Sequence, residues 1–322
     1  MNQYKNIITW ILKIAVGIGS FILIYSRLKN DFTPEKLEFL NGIFTSPTAY
    51  IYCLLCIVLI PVNWGIESYK WQQITKPIEA ISLSKAMQSV YAGICVGNLA
   101  PGRATEFFAK ILFFKIENRP TIAMLHFANG MFQLAVTIVF GLLSLVFKMQ
   151  QQITVPTFYV WLAGIFCMLL LIVFYFFIFN FNNIQHWILK KFGKVMAGKI
   201  LAYEFSKTII RKLFLYSLLR YSVFIIQFLL LLKLFYNGPL GADLFLSISI
   251  YFLLTTALPM ISFIEPAIRA AIALLVFTNL NIPEVALVIT AVLLWLMNIV
   301  LPSIVGYIII VKEKFEFSFF RK

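Results

Sequence analysis

The chain has 322 residues, of which 61% are hydrophobic and 12% are charged, and its formal net charge is +14. A soluble domain is nearer half apolar and a quarter charged, so this composition excludes an ordinary aqueous protein and predicts a membrane protein. The basic residues flank apolar runs, where they indicate topology and attraction to anionic lipid headgroups, so no nucleic-acid partner is expected.

Apolar runs long enough to cross a bilayer recur along the chain. Two stretches between them are too short or too polar to span, and each is interrupted by proline, so each is predicted to form a re-entrant helix pair. We therefore predict an all-α integral membrane protein with one membrane domain over 1–322, about six full transmembrane helices and two re-entrant helix hairpins. The predicted spans are 7–28, 48–71, 120–147, 157–180, 213–236 and 284–311, and the re-entrant pairs are 82–116 and 243–280.

Basic residues in the short loops predict the orientation. The segment 181–212 and the C-terminus are strongly basic, so both are expected on the cytoplasmic side, and the alternation of spans then places the N-terminus there as well. The first re-entrant pair would enter from the cytoplasm and the second from outside. We therefore predict an inverted repeat of 1–147 and 213–322, joined by a helix and a basic cytoplasmic segment over 148–212. Broken helices at matching places in two inverted halves indicate a transport site near the bilayer midplane.

The first broken pair contains the most concentrated set of polar residues. Pro101 and Gly102 permit a bend before a half-helix whose first N–H groups would be free. Arg103 adds a planar guanidinium suited to phosphate, so the corner predicts a cradle for a lipid headgroup. The alternative is that Arg103 and Glu106 pair with each other or with a neighbouring helix and only close the corner. The candidate substrate-binding residues here are Asn98, Pro101, Gly102, Arg103, Glu106 and Lys110.

The second broken pair carries Glu265 and Arg269, four residues apart, with Pro266 between them. A charge pair within a membrane segment is a functional hypothesis by default, so both residues are further substrate-binding candidates. The alternative is that Glu265 is a structural cap at the start of a helix.

Several polar residues in the full spans are candidates for lining a cavity. Glu67 shares a helical face with Asn63 and Lys70, although an interfacial Glu–Lys pair is the alternative. A second stripe on the third span either lines the cavity or makes interhelical hydrogen bonds. Arg220, early in the fifth span, either faces the cavity or extends to the cytoplasmic surface. The candidates are Glu67, His126, Asn129, Gln133 and Arg220.

No catalytic signature is present in the sequence. There is no Gly-x-Ser-x-Gly motif, no P-loop and no metal-spaced histidine cluster, and the chain has only two aspartates. Cys53 and Cys56 match the C-x-x-C spacing but lie in an apolar run, so two buried helix cysteines are expected. An enzyme is therefore not predicted, nor are catalytic residues, a metal site or a cofactor.

Three segments together resemble a known family. They are the motif from Pro101 to Glu106, Leu258-Pro259 with Arg269, and Ser217-Leu-Leu-Arg220-Tyr. These are similar to the Pro-Gly-Arg-x-Gly-Glu, Leu-Pro…Gly-x-Arg-Glu and Ser-x-x-Arg-Trp motifs of the membrane domain of bacterial lysylphosphatidylglycerol synthase/flippases, which also occurs in stand-alone form. This chain departs from the family at four positions. Thr105 replaces a Gly, Ala270 replaces a Glu for which Glu265 is a partial substitute, and Phe127 and Asn129 stand where an Arg and an acid are common.

The resemblance implies a flippase-like protein of the bacterial cytoplasmic membrane that translocates an anionic, aminoacylated or polyprenyl-linked lipid between leaflets. The soluble aminoacyl-transfer domain of the longer family members is not found in this sequence, so lysyl transfer to lipid is not expected. The implied partners are a phospholipid or lipid-linked substrate and the bilayer, and a homo-oligomer is left open. The alternatives are a membrane-embedded lipid-modifying enzyme and a non-transporting scaffold that recruits a partner enzyme through 181–212.

Overall fold

The computed structural model describes residues 46–98, 103, 105–151, 156–180, 205–258 and 264–313, together with Ile22 and Tyr25. Within these ranges every regular element is a helix. The predicted first span over 7–28 and most of the loop after it lie outside the described residues. So do Pro101, Gly102, Pro259, most of the basic segment 181–212 and the last nine residues.

Ten α-helices follow one another along the described chain. Their bounds agree closely with the predicted elements, because long apolar runs with polar ends define where a helix can lie. They are α1 Pro47–Thr75, α2 Leu83–Gly97, α3 Glu106–Ile111, α4 Arg119–Gln151, α5 Thr157–Phe179, α6 Lys207–Lys233, α7 Ala242–Ala257, α8 Glu265–Val276, α9 Glu284–Trp295 and α10 Leu301–Lys312.

Four helical segments are long and apolar enough to cross a membrane. They are Pro47–Thr75, Ile116–Met149, Lys207–Lys233 and Glu284–Lys312. Helix α5 is also apolar and presents large side chains such as Phe158, Trp161 and Phe166 outward, away from its contact with α4. The described chain is therefore all-helical, with the length and apolar character of a multi-pass membrane protein.

The helix contacts have the same pattern in both halves of the chain. Helix α1 packs against α6, α4 packs against α7, and α10 packs against α2. Within the halves, α2 contacts α3 as α7 contacts α8, and α3 contacts α4 as α8 contacts α9. Helices α1, α2 and α3 correspond to α6, α7 and α8, and α4 corresponds to α9 and α10 together. Exchanging the corresponding helices leaves this set of contacts unchanged. An internal repeat of two similar halves produces such a pattern.

The last long helix is interrupted by a π-helical segment, Leu296–Val300, between α9 and α10. The N–H of Leu301 donates to the carbonyl of Leu296, five residues earlier. Pro302 follows directly and has no N–H to offer the Asn298 carbonyl, so a regular α-helical turn would leave that carbonyl without its partner. A wider turn of this kind often marks a functional position.

Helix α10 lies so close to α2 that Gly306 has no room for a side chain. A Cβ there would overlap the carbonyl oxygen of Tyr91. We expect Gly306→Ala to lower the free energy of unfolding by about 1–3 kcal/mol, because the backbones must separate. Gly130→Ala is the matched control, since no atom lies within 4 Å of its Cβ position. Thermal unfolding followed with a thiol-reactive dye, which reports exposure of buried Cys56, measures both variants. Equal midpoints would contradict the packing described here.

Candidate functional site

The polar face of α1 is buried in the centre of the helix bundle. Asn63, Glu67 and Lys70 follow one another at helical spacing, and none is more than 5% exposed. Glu67 and Lys70 form the pair considered from the sequence, but inside the helix bundle and not at its surface. Carboxylates and amines are almost never this deeply buried unless they are paired, so their partners identify a structured polar site.

Glu67 joins four helices through its carboxylate. The Arg220 Nη1 atom lies 2.6 Å from Glu67 Oε2, and Lys70 Nζ lies 3.2 Å from the same oxygen. The Asn129 amide donates to Glu67 Oε1 at 2.7 Å, and Lys110 Nζ lies 4.0 Å from that oxygen. Arg220 is thus a buried ion-pair partner on α6, and the alternative in which it extends to a surface is not observed.

A chain of amides continues from Arg220 through α1 to the π segment. Arg220 Nε donates to Asn63 Oδ1 at 3.0 Å, and the Asn63 amide donates to Asn298 Oδ1 at 3.2 Å. The Asn298 amide in turn donates to Gln227 Oε1 at 3.0 Å, and Gln227 donates to the carbonyl of Cys56. These hydrogen bonds connect α1, α6 and the π segment, so the site bridges both halves.

The first corner is built around a buried pair, Glu106 and Lys110. Lys110 Nζ lies 2.6 Å from Glu106 Oε1 and 5.2 Å from the centre of the Trp71 ring. Gly93 on α2 leaves space for this pair, since a Cβ there would lie 2.8 Å from the Lys110 side chain. Glu106 therefore pairs with Lys110, and the alternative pairing with Arg103 is not observed.

The described α-helix at this corner is short and begins after Arg103. Helix α3 starts at Glu106 and has six residues, so Arg103 precedes it and adopts a left-handed backbone conformation with φ of 55°. The predicted start of a half-helix at Pro101 and Gly102, with its cradle of N–H groups, lies outside the described residues. The Arg103 side chain is the described group at this corner that is suited to bind an anion.

The second corner contains an intrahelical ion pair. Arg269 Nε and Nη2 both donate to Glu265 Oε1, at 2.9 and 2.7 Å. Glu265 is the first residue of α8, after the N-cap residue Ile264, so it is an acidic group in the first turn of the helix and not its N-cap. The arrangement holds the guanidinium of Arg269 in a fixed orientation.

Both corners and α6 contribute an arginine to one cavity of about 230 Å³. We call this the arginine cavity. It is lined by Arg103, Arg220 and Arg269, together with polar groups such as Gln133 and Asn298. Guanidinium groups that converge on a small cavity are suited to bind phosphate or carboxylate by paired hydrogen bonds.

The three arginines differ in their counterions. Arg220 is paired with Glu67 and Arg269 with Glu265, whereas no carboxylate among the described residues lies within ion-pair distance of Arg103. The Arg103 side chain nevertheless lies near Glu106, since a Cβ added at Gly97 would contact both side chains. With Lys70 and Lys110, the region holds five cations and three carboxylates, an excess of two positive charges. Buried excess charge of one sign favours a ligand of the opposite sign.

The structure brings most of the predicted site residues together, in two layers. Arg103, Arg269, Arg220 and Gln133 line the cavity. Behind it lie Glu67, Glu106, Lys110, Asn129 and Glu265 as partners or supports, with His126 against Trp71 at 6.2 Å between ring centres. Asn98 lies at the end of α2 and donates to Ser303 on α10. Pro101 and Gly102 lie outside the described residues.

Sequence reasoning missed Asn298, Gln227 and Trp64. Trp64 lies 5.1 Å from the Arg220 guanidinium and stacks over the cation. The signal that would have found Gln227 is its spacing of seven from Arg220, which places both on one face of α6. The signal that would have found Asn298 is its position as a polar residue within an apolar span, shortly before Pro302.

The described residues include no group of three His, Cys, Asp or Glu side chains placed to hold a metal ion. The four cysteines are not disulfide-bonded. Cys56 is buried in α1 as expected, whereas Cys53 is only half-buried. No protein-family model matches the chain, and no curated protein matches it either.

Proposed function

We propose that this protein is a flippase-like membrane protein that moves an anionic, aminoacylated or polyprenyl-linked lipid between the leaflets of a bacterial cytoplasmic membrane. Its architecture in this proposal is six full spans and two re-entrant pairs, arranged as an inverted repeat. The exchange-symmetric helix contacts support the repeat, and the short paired helices α2–α3 and α7–α8 support the re-entrant pairs. The basic segment 181–212 supports a cytoplasmic location for both termini.

The single observation that carries the proposal is the convergence of Arg103, Arg220 and Arg269 on one cavity. Arg220 is buried and Arg103 and Arg269 are half-buried, which is costly unless these cations are paired or take up a ligand. Two of them have a carboxylate partner, and the third does not within the described chain. A lipid phosphate supplies the missing negative charge and matches the planar geometry of the guanidinium.

The arrangement suggests how a headgroup is held and released. Arg103 provides the first contact with the phosphate, since it has no competing ion pair among the described residues. Glu67 and Glu265 neutralise Arg220 and Arg269 when the cavity holds no headgroup. Neither arginine is then left unpaired before an anion enters or after it leaves. Because the arginines belong to both halves, a relative movement of the halves changes which of them reach the headgroup.

The resemblance to lysylphosphatidylglycerol synthase/flippases adds to this reading. Ser217 and Arg220 of the Ser-x-x-Arg segment both belong to the buried network, since Ser217 accepts a hydrogen bond from Lys70. Ala270, which replaces a glutamate of the family, is fully buried. Glu265 is then the acid that accompanies Arg269.

Transport measurements on Arg103→Gln test the proposal. We expect labelled phosphatidylglycerol to cross proteoliposomes about 10- to 100-fold more slowly than with the wild-type protein, because a charged hydrogen bond to phosphate is lost. Arg211→Gln is the matched control, since this arginine lies exposed on α6 away from the cavity. Equal rates for Arg103→Gln and wild type would overturn the site assignment.

The same preparation separates transport from the two alternatives. A lipid-modifying enzyme changes the extracted headgroup and works in detergent, where no leaflet exists. A scaffold loses function on charge reversal in 181–212 but not on substitution of Arg103. For a flippase, the extracted lipid is chemically unchanged and the rate depends on Arg103.

A further inference from the structure

A second cavity of about 450 Å³ adjoins the arginine cavity and has the opposite character. Its walls are mainly aliphatic and aromatic side chains of the π segment and α10, among them Val300, Ile304 and Tyr307. Asn98 and Ser303 form its polar edge, where the Asn98 amide donates to the Ser303 hydroxyl. We call it the apolar groove.

The groove and the arginine cavity share two wall residues, Trp295 and Ile299. Both belong to the stretch where α9 passes into the π segment, so the wider π turn forms the partition between the two spaces. The same turn directs Asn298 into the buried amide chain. The polar and apolar spaces are therefore neighbours separated by a thin wall of side chains.

The groove opens on the outer surface of the bundle. Ile304 and Tyr307 are 53% and 62% exposed, and the neighbouring side chains of α10, Leu301, Val305 and Ile308, are also exposed and apolar. On a helix that is long and apolar enough to cross a membrane, such a surface faces hydrocarbon. The groove is thus accessible from the bilayer, whereas the arginine cavity lies inside the helix bundle.

We propose that the apolar groove holds one hydrocarbon chain of the lipid whose phosphate occupies the arginine cavity. This inference rests on the proposed function and specifies how its substrate is recognised. The arginine cavity is smaller than the roughly 300–1,000 Å³ typical of sites for drug-sized ligands, so it accommodates a headgroup and not a whole lipid. The chain must leave it, and the groove is the adjoining apolar space in the described part of the protein.

The inference makes the substrate class more specific. The ligand is an amphiphile with an anionic headgroup attached directly to a chain, and a soluble phosphate ester fills only one of the two spaces. Trp295 is the positioning residue between them, because its side chain contributes to both walls. A second chain of a diacyl lipid would remain in the surrounding bilayer.

Filling the groove tests the inference. Ile304→Trp places a large side chain inside the groove, and Ile308→Trp makes the same change one turn further along α10, outside its lining. Binding is measured for two probes, lysophosphatidylglycerol below its micelle concentration and glycerol 1-phosphate. We expect Ile304→Trp to weaken the single-chain lipid about tenfold or more, the loss expected when two or more methylene groups are expelled. Glycerol 1-phosphate should bind equally to both variants.

A diazirine at mid-chain of phosphatidylglycerol gives an independent readout in nanodiscs. Crosslinking near Asn98, Ile304 and Tyr307 should occur in the wild-type protein and in Ile308→Trp, and should be lost in Ile304→Trp. Equal labelling by a phosphatidylcholine analogue would overturn the inference, because the groove would then hold only surrounding bilayer lipid.

The two probes also separate this inference from the proposed function. If both variants bind lysophosphatidylglycerol as wild type does, while Arg103→Gln still slows transport, the groove assignment is wrong and the flippase proposal stands. If glycerol 1-phosphate fails to bind the wild-type protein and Arg103→Gln transports normally, the headgroup site is wrong and the groove inference falls with it.

Discussion

Replacing Glu67 with Gln is expected to lower the free energy of unfolding by about 3–5 kcal/mol, the usual cost of leaving a buried ion pair without one partner. Glu67 lies within ion-pair distance of Arg220, Lys70 and Lys110, so its neutral replacement strands cations in the interior. Gln keeps nearly the same volume and still accepts a hydrogen bond from Asn129. The lost stability therefore results from removal of the negative charge and not from a change in packing. Thermal unfolding in nanodiscs, followed through the reactivity of buried Cys56, measures it.

Two further variants decide whether charge is the cause. Glu117→Gln makes the same chemical change at an exposed position in a short 3₁₀ turn and should alter stability by no more than about 0.5 kcal/mol. The double variant Glu67→Gln/Arg220→Gln removes one stranded cation and should recover part of the loss. Only part is recovered, because Lys70 has no other carboxylate at ion-pair distance in the described chain. If the loss of unfolding free energy in the double variant equals the sum of the losses in the two single variants, Glu67 and Arg220 do not act as a pair.

The element boundaries were the most predictable part of this protein. The span predicted over 157–180 is α5, Thr157–Phe179, and the one over 284–311 ends within a residue of Lys312. These runs are apolar along their length and end at polar residues, so local sequence determines them. The π segment within the last span was not predicted, because a single Pro302 in an apolar run has several structural outcomes.

Boundary errors had consequences for single residues. The fifth span was predicted to begin at 213, which placed Arg220 near a membrane surface. Helix α6 begins at Lys207, so Arg220 lies about 20 Å from its start at 1.5 Å per residue. Its side chain is buried and paired with Glu67, so it is directed into the helix bundle.

The candidate site was predictable residue by residue but not as an assembly. The motif from Pro101 to Glu106 pointed to Arg103, and the Glu265–Arg269 spacing predicted an intrahelical pair that is observed. The contact between Asn63 and Asn298 joins residues 235 positions apart. Such a contact depends on how the two halves pack, which no local pattern specifies.

A double-variant cycle on Arg103 and Arg269 should show that both arginines hold one anion. Each single change to Gln is expected to weaken binding of glycerol 1-phosphate about 10- to 100-fold, since each removes a charged hydrogen bond. If both guanidinium groups contact the same phosphate, the double variant departs from the sum of the singles by about 0.5–3 kcal/mol. The control cycle pairs Arg103→Gln with Arg211→Gln, which is exposed, and should be additive within about 0.5 kcal/mol.

The partner of Arg269 requires one more variant. Arg269→Gln alone leaves Glu265 without its cation, so its effect on binding would mix loss of an anion contact with repulsion from a stranded carboxylate. Glu265→Gln removes that repulsion and frees Arg269, so by itself it should tighten binding of glycerol 1-phosphate, while slowing release of labelled lipid. Repeating the cycle in the Glu265→Gln background isolates the arginine contacts. If Arg103 and Arg269 are additive there, they serve two separate anions and the single headgroup cavity is ruled out.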